Sequence, residues 1–263
     1  MKIARLPTAD IHWHEDGDPD GPAVVFANSL GTDLRLWDGV VERLAGNGLR
    51  LVRFDKRGHG LSSCPKPPYS MDDLVRDTET LLDELDIGSC VFVGLSIGGM
   101  IGQLLASRRP DRISGLVLAN TAAKMGDPAM WRDRISRIRA DGLDSIADAV
   151  LERWFSGSFR GRPESLGWRH MLCRTPEDGY VGCCEAIAAA DLSQSTASLR
   201  LPVLGIGGSE DLASPSDLVR ATTALVPGSR FVEIDQAGHL PCVEQPDAFT
   251  GHLLRFLKED LHV

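Results

Sequence analysis

The chain has 263 residues, 43% of them hydrophobic and 25% charged, which suits one α/β-sized unit with ample core material rather than two independent domains. Its formal net charge of -9 comes with no basic stripe, which argues against a nucleic-acid partner. No apolar run approaches the ~18 residues of a membrane span. The start, Met1-Lys2-Ile3-Ala4-Arg5, lacks the apolar stretch of a secretory signal, so a soluble, cytoplasmic protein away from membranes is expected.

Taken in chain order, Ala23–Ala27 is a short apolar run between Gly21-Pro22 and Asn28, the mark of a buried strand. Leu49–Phe54 is a second such run, ending at Asp55. Between Met71 and Leu85, apolar residues at 71, 74, 75, 81, 82 and 85 draw a helical stripe, and Ser70 with Asp73 forms a capping box at its start. Cys90–Val93 reads as a third strand, Ile97–Arg108 as the helix after it, and Gly115–Ala119 as a fourth strand.

The pattern then changes. From Lys124 to Ala190 there are only helical stripes, one of them through Leu143, Ile146, Ala147, Val150, Leu151 and Trp154. Strand signals return at Pro202–Ile206 and Arg230–Ile234, each followed by a helical segment, the last being Ala248–Leu257. Strand–helix alternation predicts an α/β fold with a mostly parallel sheet flanked by helices. The helical stretch reads as a cap inserted before the last strands. The expected division is 1–123 for the first part of the core, 124–190 for the cap and 191–263 for the second part. Between Lys124 and Arg174, ten Lys/Arg stand against seven Asp/Glu, so a mildly basic lid sits on an acidic body and hints at an anionic substrate.

Six cysteines, at 64, 90, 173, 183, 184 and 242, form no CxxC pair and no metal-ligand spacing. Reduced core thiols are expected, with no metal. No G-x-G-x-x-G follows the first strand, which leaves a dinucleotide binder without support, and no cofactor is expected.

Gly94-Leu95-Ser96-Ile97-Gly98 is a G-x-S-x-G sequence that joins a strand to a helix. A serine on so sharp a turn needs neighbours without colliding side chains, which explains the glycines two before and two after it. The hydroxyl is a poor nucleophile until a base takes its proton. With the nucleophile on such a turn, the acid and then the histidine follow along the chain. Of the downstream histidines, His170 falls in the cap, His252 on the last helix and His262 in the tail. His239, in a loop after the last strand, is left as the base. Asp211 follows the strand Pro202–Ile206 and is the expected acid, with Glu210 its nearest rival. The strand before the cap ends in Asn120, a poor substitute because it cannot stabilise an imidazolium by charge. The oxyanion hole needs two backbone N–H groups, assigned to Ile97 and to Leu30 in the loop Asn28-Ser29-Leu30-Gly31. Asp55–Ser62 is read as a structural turn, with Arg57 within reach of the site.

Together these motifs resemble the α/β-hydrolases over nearly the whole chain. A closer resemblance is to the 3-oxoadipate enol-lactonases of aromatic catabolism. It is carried by Asn28–Leu34 with Trp37, Gly94–Gly99, Asn120–Ala123, Arg153–Phe155, Cys184–Leu192, Asp211–Ala213 and Gly238-His239. The oxyanion loop departs from the commoner His-Gly start, and His239-Leu240-Pro241-Cys242 departs from the family's usual turn. The resemblance implies serine-dependent hydrolysis, through an acyl-enzyme, of a small anionic lactone to 3-oxoadipate. The substrate carboxylate then needs a cation, for which the cap offers Arg132, Arg134 and Arg153, while Trp131 and Trp154 line the apolar part. The rival readings are another esterase, lactonase or carbon–carbon bond hydrolase of the same fold, and a slow-turnover ligand sensor. The charge-rich stretch Arg132–Arg139 speaks against the sensor, which needs an apolar docking patch.

Overall fold

The apolar runs become the centre of a sheet because residues buried on both faces must be apolar on both. In the computed structural model, which describes residues 1–263, eight strands form one sheet. They are β1 (Lys2–Arg5), β2 (Asp10–Gly17), β3 (Ala23–Ala27), β4 (Arg50–Phe54), β5 (Cys90–Leu95), β6 (Ile113–Ala119), β7 (Val203–Gly208) and β8 (Arg230–Ile234). Their spatial order is β1-β2-β4-β3-β5-β6-β7-β8, with β2 antiparallel to both neighbours and every other pair parallel. The sheet grows outward from β3 in both directions, to β4 on one side and β5 on the other. The loops leaving β3 and β5 therefore part at their carboxyl ends and open a crevice there.

No apolar run precedes Ala23, and no strand is expected there, yet β1 and β2 form a hairpin along one edge. Asp10-Ile11-His12-Trp13-His14-Glu15-Asp16-Gly17 is polar at most positions, and only Ile11 and His12 are buried. A strand one place in from the sheet's edge, paired on both sides but solvated on one face, is held by its ladders and needs no apolar run, which is why its sequence carries no such signal.

The helices outside the insertion are α1 (Asp38–Leu44), α2 (Met71–Glu84) and α3 (Ile97–Arg108) before it. Within it come α4 (Pro128–Asp141), α5 (Asp144–Trp154), α6 (Gly157–Arg160), α7 (Ser165–Cys173) and α8 (Glu177–Ala189). After it follow α9 (Ser193–Ala197), α10 (Ser216–Thr223), α11 (Pro241–Glu244) and α12 (Pro246–Asp260). The capping box of α2 is reciprocal: Asp73 N–H donates to Ser70 Oγ at 3.2 Å and Ser70 N–H to Asp73 Oδ2 at 2.9 Å. No strand interrupts α4 to α8, which lie between β6 and β7. The α5 stripe is buried at Ile146, Ala147, Val150 and Trp154, and half-buried at Leu151. These side chains join the same apolar cluster as the sheet, so insertion and sheet share one core.

No helix is long and apolar enough to cross a membrane. All six cysteines are free; Cys90, Cys183, Cys184 and Cys242 are core thiols as expected, whereas Cys173 is half-buried and Cys64 is exposed.

Candidate active site

The turn between β5 and α3 holds Ser96 at φ 58° and ψ -119°, a left-handed backbone that a residue with a Cβ rarely adopts. Two neighbours make the turn possible. A Cβ on Gly94 would lie 2.3 Å from the Gly98 carbonyl oxygen, and one on Gly98 would lie 2.1 Å from that of Ala27. The strained residue is clamped: Ser96 N–H donates to Ala119 O at 2.9 Å, and Thr121 Oγ1 donates to Ser96 O at 2.6 Å.

Asp211 leaves β7 and His239 follows β8, so the parallel pairing of those strands delivers both to the same edge of the sheet. His239 Nδ1 lies 2.9 Å from Asp211 Oδ2, and both side chains are almost wholly buried. The other carboxylate oxygen, Oδ1, accepts the N–H groups of Ala213 at 2.7 Å and Ser214 at 2.9 Å. Glu210 is exposed and turns to Gly157 N–H at 3.4 Å, away from His239. Asn120 proves to be a partner of the acid and not its substitute: its Nδ2 donates to Asp211 Oδ2 at 2.7 Å and to Gly238 O at 3.3 Å. The His239 loop is tied to the insertion as well. The N–H groups of His239 and Leu240 both donate to Trp154 O, at 2.8 and 3.3 Å. Glu244 accepts Gly238 N–H at 2.7 Å on one oxygen, and on the other Ser156 N–H at 3.0 Å and the Ser156 hydroxyl. Burial raises the Glu244 carboxyl above its ordinary range, against the pull of those donors.

A cavity of about 100 Å³ opens between the strand ends and the insertion, with Ser96, His239, Ser29 and Leu30 in its floor. Trp131, Arg134, Arg153 and Trp154 line it from α4 and α5, joined by Tyr180 from α8. Arg132 does not: it is exposed and faces solvent, because one residue along a helix turns the side chain by about 100°. The Leu30 N–H is given to no other acceptor in the chain, and Ile97 is the first residue of α3, whose N–H has no intrahelical partner. Arg57 is not in the site either; it pairs with Asp77 of α2 at 2.6 Å. A larger hollow of about 550 Å³, between the loop 32–35 and α7, contains His170 and Arg174 but neither Ser96 nor His239.

A family model described as the alpha/beta hydrolase fold matches residues 22–147. The 3-oxoadipate enol-lactonase 2 of Acinetobacter baylyi is 38% identical over 91% of this chain and 90% of its own. The chain belongs to the α/β-hydrolase family. The 3-oxoadipate enol-lactonase 1 of the same organism is 33% identical over 92% of this α/β-hydrolase and 91% of its own length. Among solved structures, the enol-lactonase from Burkholderia xenovorans LB400 superposes with a TM-score of 0.95 at 38% identity, covering 98% of this chain and all of that one.

Within this α/β-hydrolase, Arg134 and Arg153 are the basic residues of the insertion that line the cavity beside Ser96 and His239. Arg139 and Arg169 are paired with carboxylates, whereas no carboxylate lies within salt-bridge distance of Arg134 or Arg153. Arg134 rests over the Trp131 ring at 4.9 Å from its centroid. Arg153 is half-buried, and burial together with the neighbouring Arg134 charge holds its guanidinium below its ordinary range. Ser29 stands in the loop 28–31 that the sequence already marks, whereas Tyr180, the lone aromatic of α8, and Glu244 carry no motif in the sequence that points to the site.

Proposed function

We propose that this hydrolase opens the enol lactone of 3-oxoadipate by serine catalysis, in the β-ketoadipate pathway of aromatic catabolism. The observation that carries the reading is the pair Arg134 and Arg153, two guanidinium groups without counter-ions beside the cavity floor that holds Ser96 and His239. Two uncompensated cations at a reaction site call for an anionic substrate, and planar guanidinium groups suit a carboxylate. The names of the three relatives, and the close superposition of the Burkholderia enol-lactonase, support the same choice of lactone.

In this mechanism His239 Nε2 takes the Ser96 proton and Oγ attacks the lactone carbonyl carbon. The N–H groups of Leu30 and Ile97 hold the oxyanion. Collapse of the tetrahedral intermediate breaks the ring C–O bond and expels an enolate, a better leaving group than an alkoxide. His239 Nε2 returns the proton it took from Ser96 to the departing enolate oxygen, which leaves the imidazole neutral again, and the enol tautomerises to the ketone. A water deprotonated by His239 then attacks the acyl group, and Ser96 leaves with its proton restored. Asp211 fixes the imidazole through Nδ1–H and stabilises its cationic form. The insertion 124–190 acts as the lid, and Trp131 and Trp154 surround the apolar part of the ring. No metal or cofactor takes part, and a cytoplasmic location agrees with six unpaired cysteines.

The test is loss of the lactone's ultraviolet absorbance with the native chain and with Ser96→Ala, beside a neutral p-nitrophenyl ester. The native chain should consume the lactone far faster than the ester, and Ser96→Ala should lose about 10⁴-fold or more on both. Brisk ester cleavage with slow lactone loss would discard the lactone and keep the serine. For the carboxylate, Arg153→Met should raise KM for the lactone by about tenfold or more and spare the neutral ester. Equal effects on both substrates would remove Arg153 from that role.

A further inference from the structure

The Ser29 carbonyl and the Leu30 N–H belong to one planar peptide unit, and in a trans peptide they point in opposite directions. Three donors converge on that carbonyl oxygen: Lys56 Nζ at 2.6 Å, Thr32 Oγ1 at 2.9 Å and Thr32 N–H at 3.3 Å. Lys56 lies at the carboxyl end of β4 and is only 3% exposed. An ammonium group so deeply buried is costly unless something holds it there.

The groups that face it do not form its ion pair. Asp55, on its own turn, accepts Leu34 N–H at 2.7 Å and Leu61 N–H at 2.9 Å and contacts His12 Nδ1 at 2.8 Å. Asp33, from the loop after β3, is bound by Arg35. Cys183, from α8, has its thiol pushed up to about 12 by burial and stays neutral. His59 is pulled well below its ordinary range by burial and by the Lys56 charge. Its neutral Nε2 accepts Gly31 N–H at 3.0 Å. Lys56 and His59 thus pin the peptides on the two sides of Leu30, one by its carbonyl and the other by its amide. The only hydrogen bond of the Lys56 ammonium is to Ser29 O.

We propose that Lys56 is a positioning residue for the oxyanion hole, its ammonium polarising the Ser29–Leu30 peptide so that the Leu30 N–H is aimed at the reacting carbonyl and strengthened as a donor. The inference rests on the serine-hydrolase reading above. Lys56 makes and breaks no bond; its charge draws density toward the peptide oxygen, and a hydrogen bond at one end of a peptide strengthens the one at the other. The gain grows as negative charge develops on the substrate oxygen, so it belongs to the transition state and to kcat, not to KM.

Burial brings the Lys56 ammonium down to about 8, which places its discharge within reach of an assay. The experiment measures kcat and KM of the full chain on 3-oxoadipate enol-lactone from about pH 6.5 to about 9.5, for the native protein, Lys56→Met and Ser96→Ala. Lys56→Met should lose about tenfold or more in kcat near neutrality with KM little changed. Native kcat should fall through an inflection near pH 8 that Lys56→Met lacks. Native kcat in Lys56→Met, or an inflection that survives in it, would overturn the proposal. Should Lys56→Met not fold, the native chain bears the test with a trifluoromethyl ketone, whose Ser96 adduct places an oxyanion in the hole. Its affinity should weaken above pH 8 while that of the product acid does not; parallel pH dependence of the two overturns the proposal. Full activity in Ser96→Ala would sink the serine reading itself, whereas an inert Ser96→Ala beside a fully active Lys56→Met sinks the role of Lys56 alone.

Discussion

Asp211 divides its work between its two oxygens: Oδ1 accepts two backbone N–H groups that fix the carboxylate, and Oδ2 faces His239 and Asn120. An amide in its place must present –NH₂ to donors on one side or the other, so Asp211→Asn should cut kcat by about 10⁴-fold with an unchanged far-ultraviolet circular dichroism spectrum. Near-native turnover in that variant would exclude Asp211 as the orienting acid. The meeting of Ser96, Asp211 and His239 at one end of the sheet was legible in the sequence because each stands at a strand end, where few residue types serve and chain order separates the candidates. Asn120 was not legible as a partner, since the acid it touches lies 91 positions away. The arginines of α4 were only half legible. Trp131 and Arg134, three apart, share a helix face, and Arg132 between them points elsewhere, a distinction that composition alone does not make.

At the level of elements, the central strands announce themselves by apolar runs and the edge hairpin does not, because β1 and β2 are held by a ladder whose sequence is free to be polar. The helical insertion was legible as a stretch without strands, but its attachment was not. That attachment is the junction at the end of α5, where Glu244 of α11 accepts backbone N–H groups from Gly238 and Ser156. Glu244→Ala leaves two largely buried donors without partners, and should lower unfolding free energy by roughly 2–4 kcal/mol, read from urea denaturation. Because the same carboxylate steadies the His239 loop, kcat should fall as well, even well below the melting temperature. A variant with native stability would mean that water replaces the carboxylate at both donors.

For the whole molecule, the strand–helix alternation and the apolar helical stripes made the parallel sheet and the inserted helices readable, while the buried lysine beneath the loop 28–31 was hidden in a segment that reads only as a glycine-bearing turn. Its effect on stability has a definite sign. The ordinary Lys value of 10.5 applies to the unfolded chain, and the folded value lies near 8. Between those limits the unfolded chain binds the extra proton, so stability rises with pH across that window. The stability of the native chain relative to Lys56→Met should therefore increase by about 3 kcal/mol from pH 8 to pH 10.5. A flat difference would mean that Lys56 is solvated in the native state. The bond from His239 and Leu240 to the last carbonyl of α5 has a wider consequence for how such an enzyme diversifies. Any swing of α5 away from the sheet would carry His239 with it, so that end of the insertion is a fixed post, whereas Met125, Gly126 and Met130, which also line the cavity, carry no such tie to the His239 loop. Changes that admit a bulkier ligand should accumulate along the first turns of α4, where the pocket can be reshaped without disturbing the His239–Asp211 pair, and selection for new substrates should leave the Trp154–His239 junction alone.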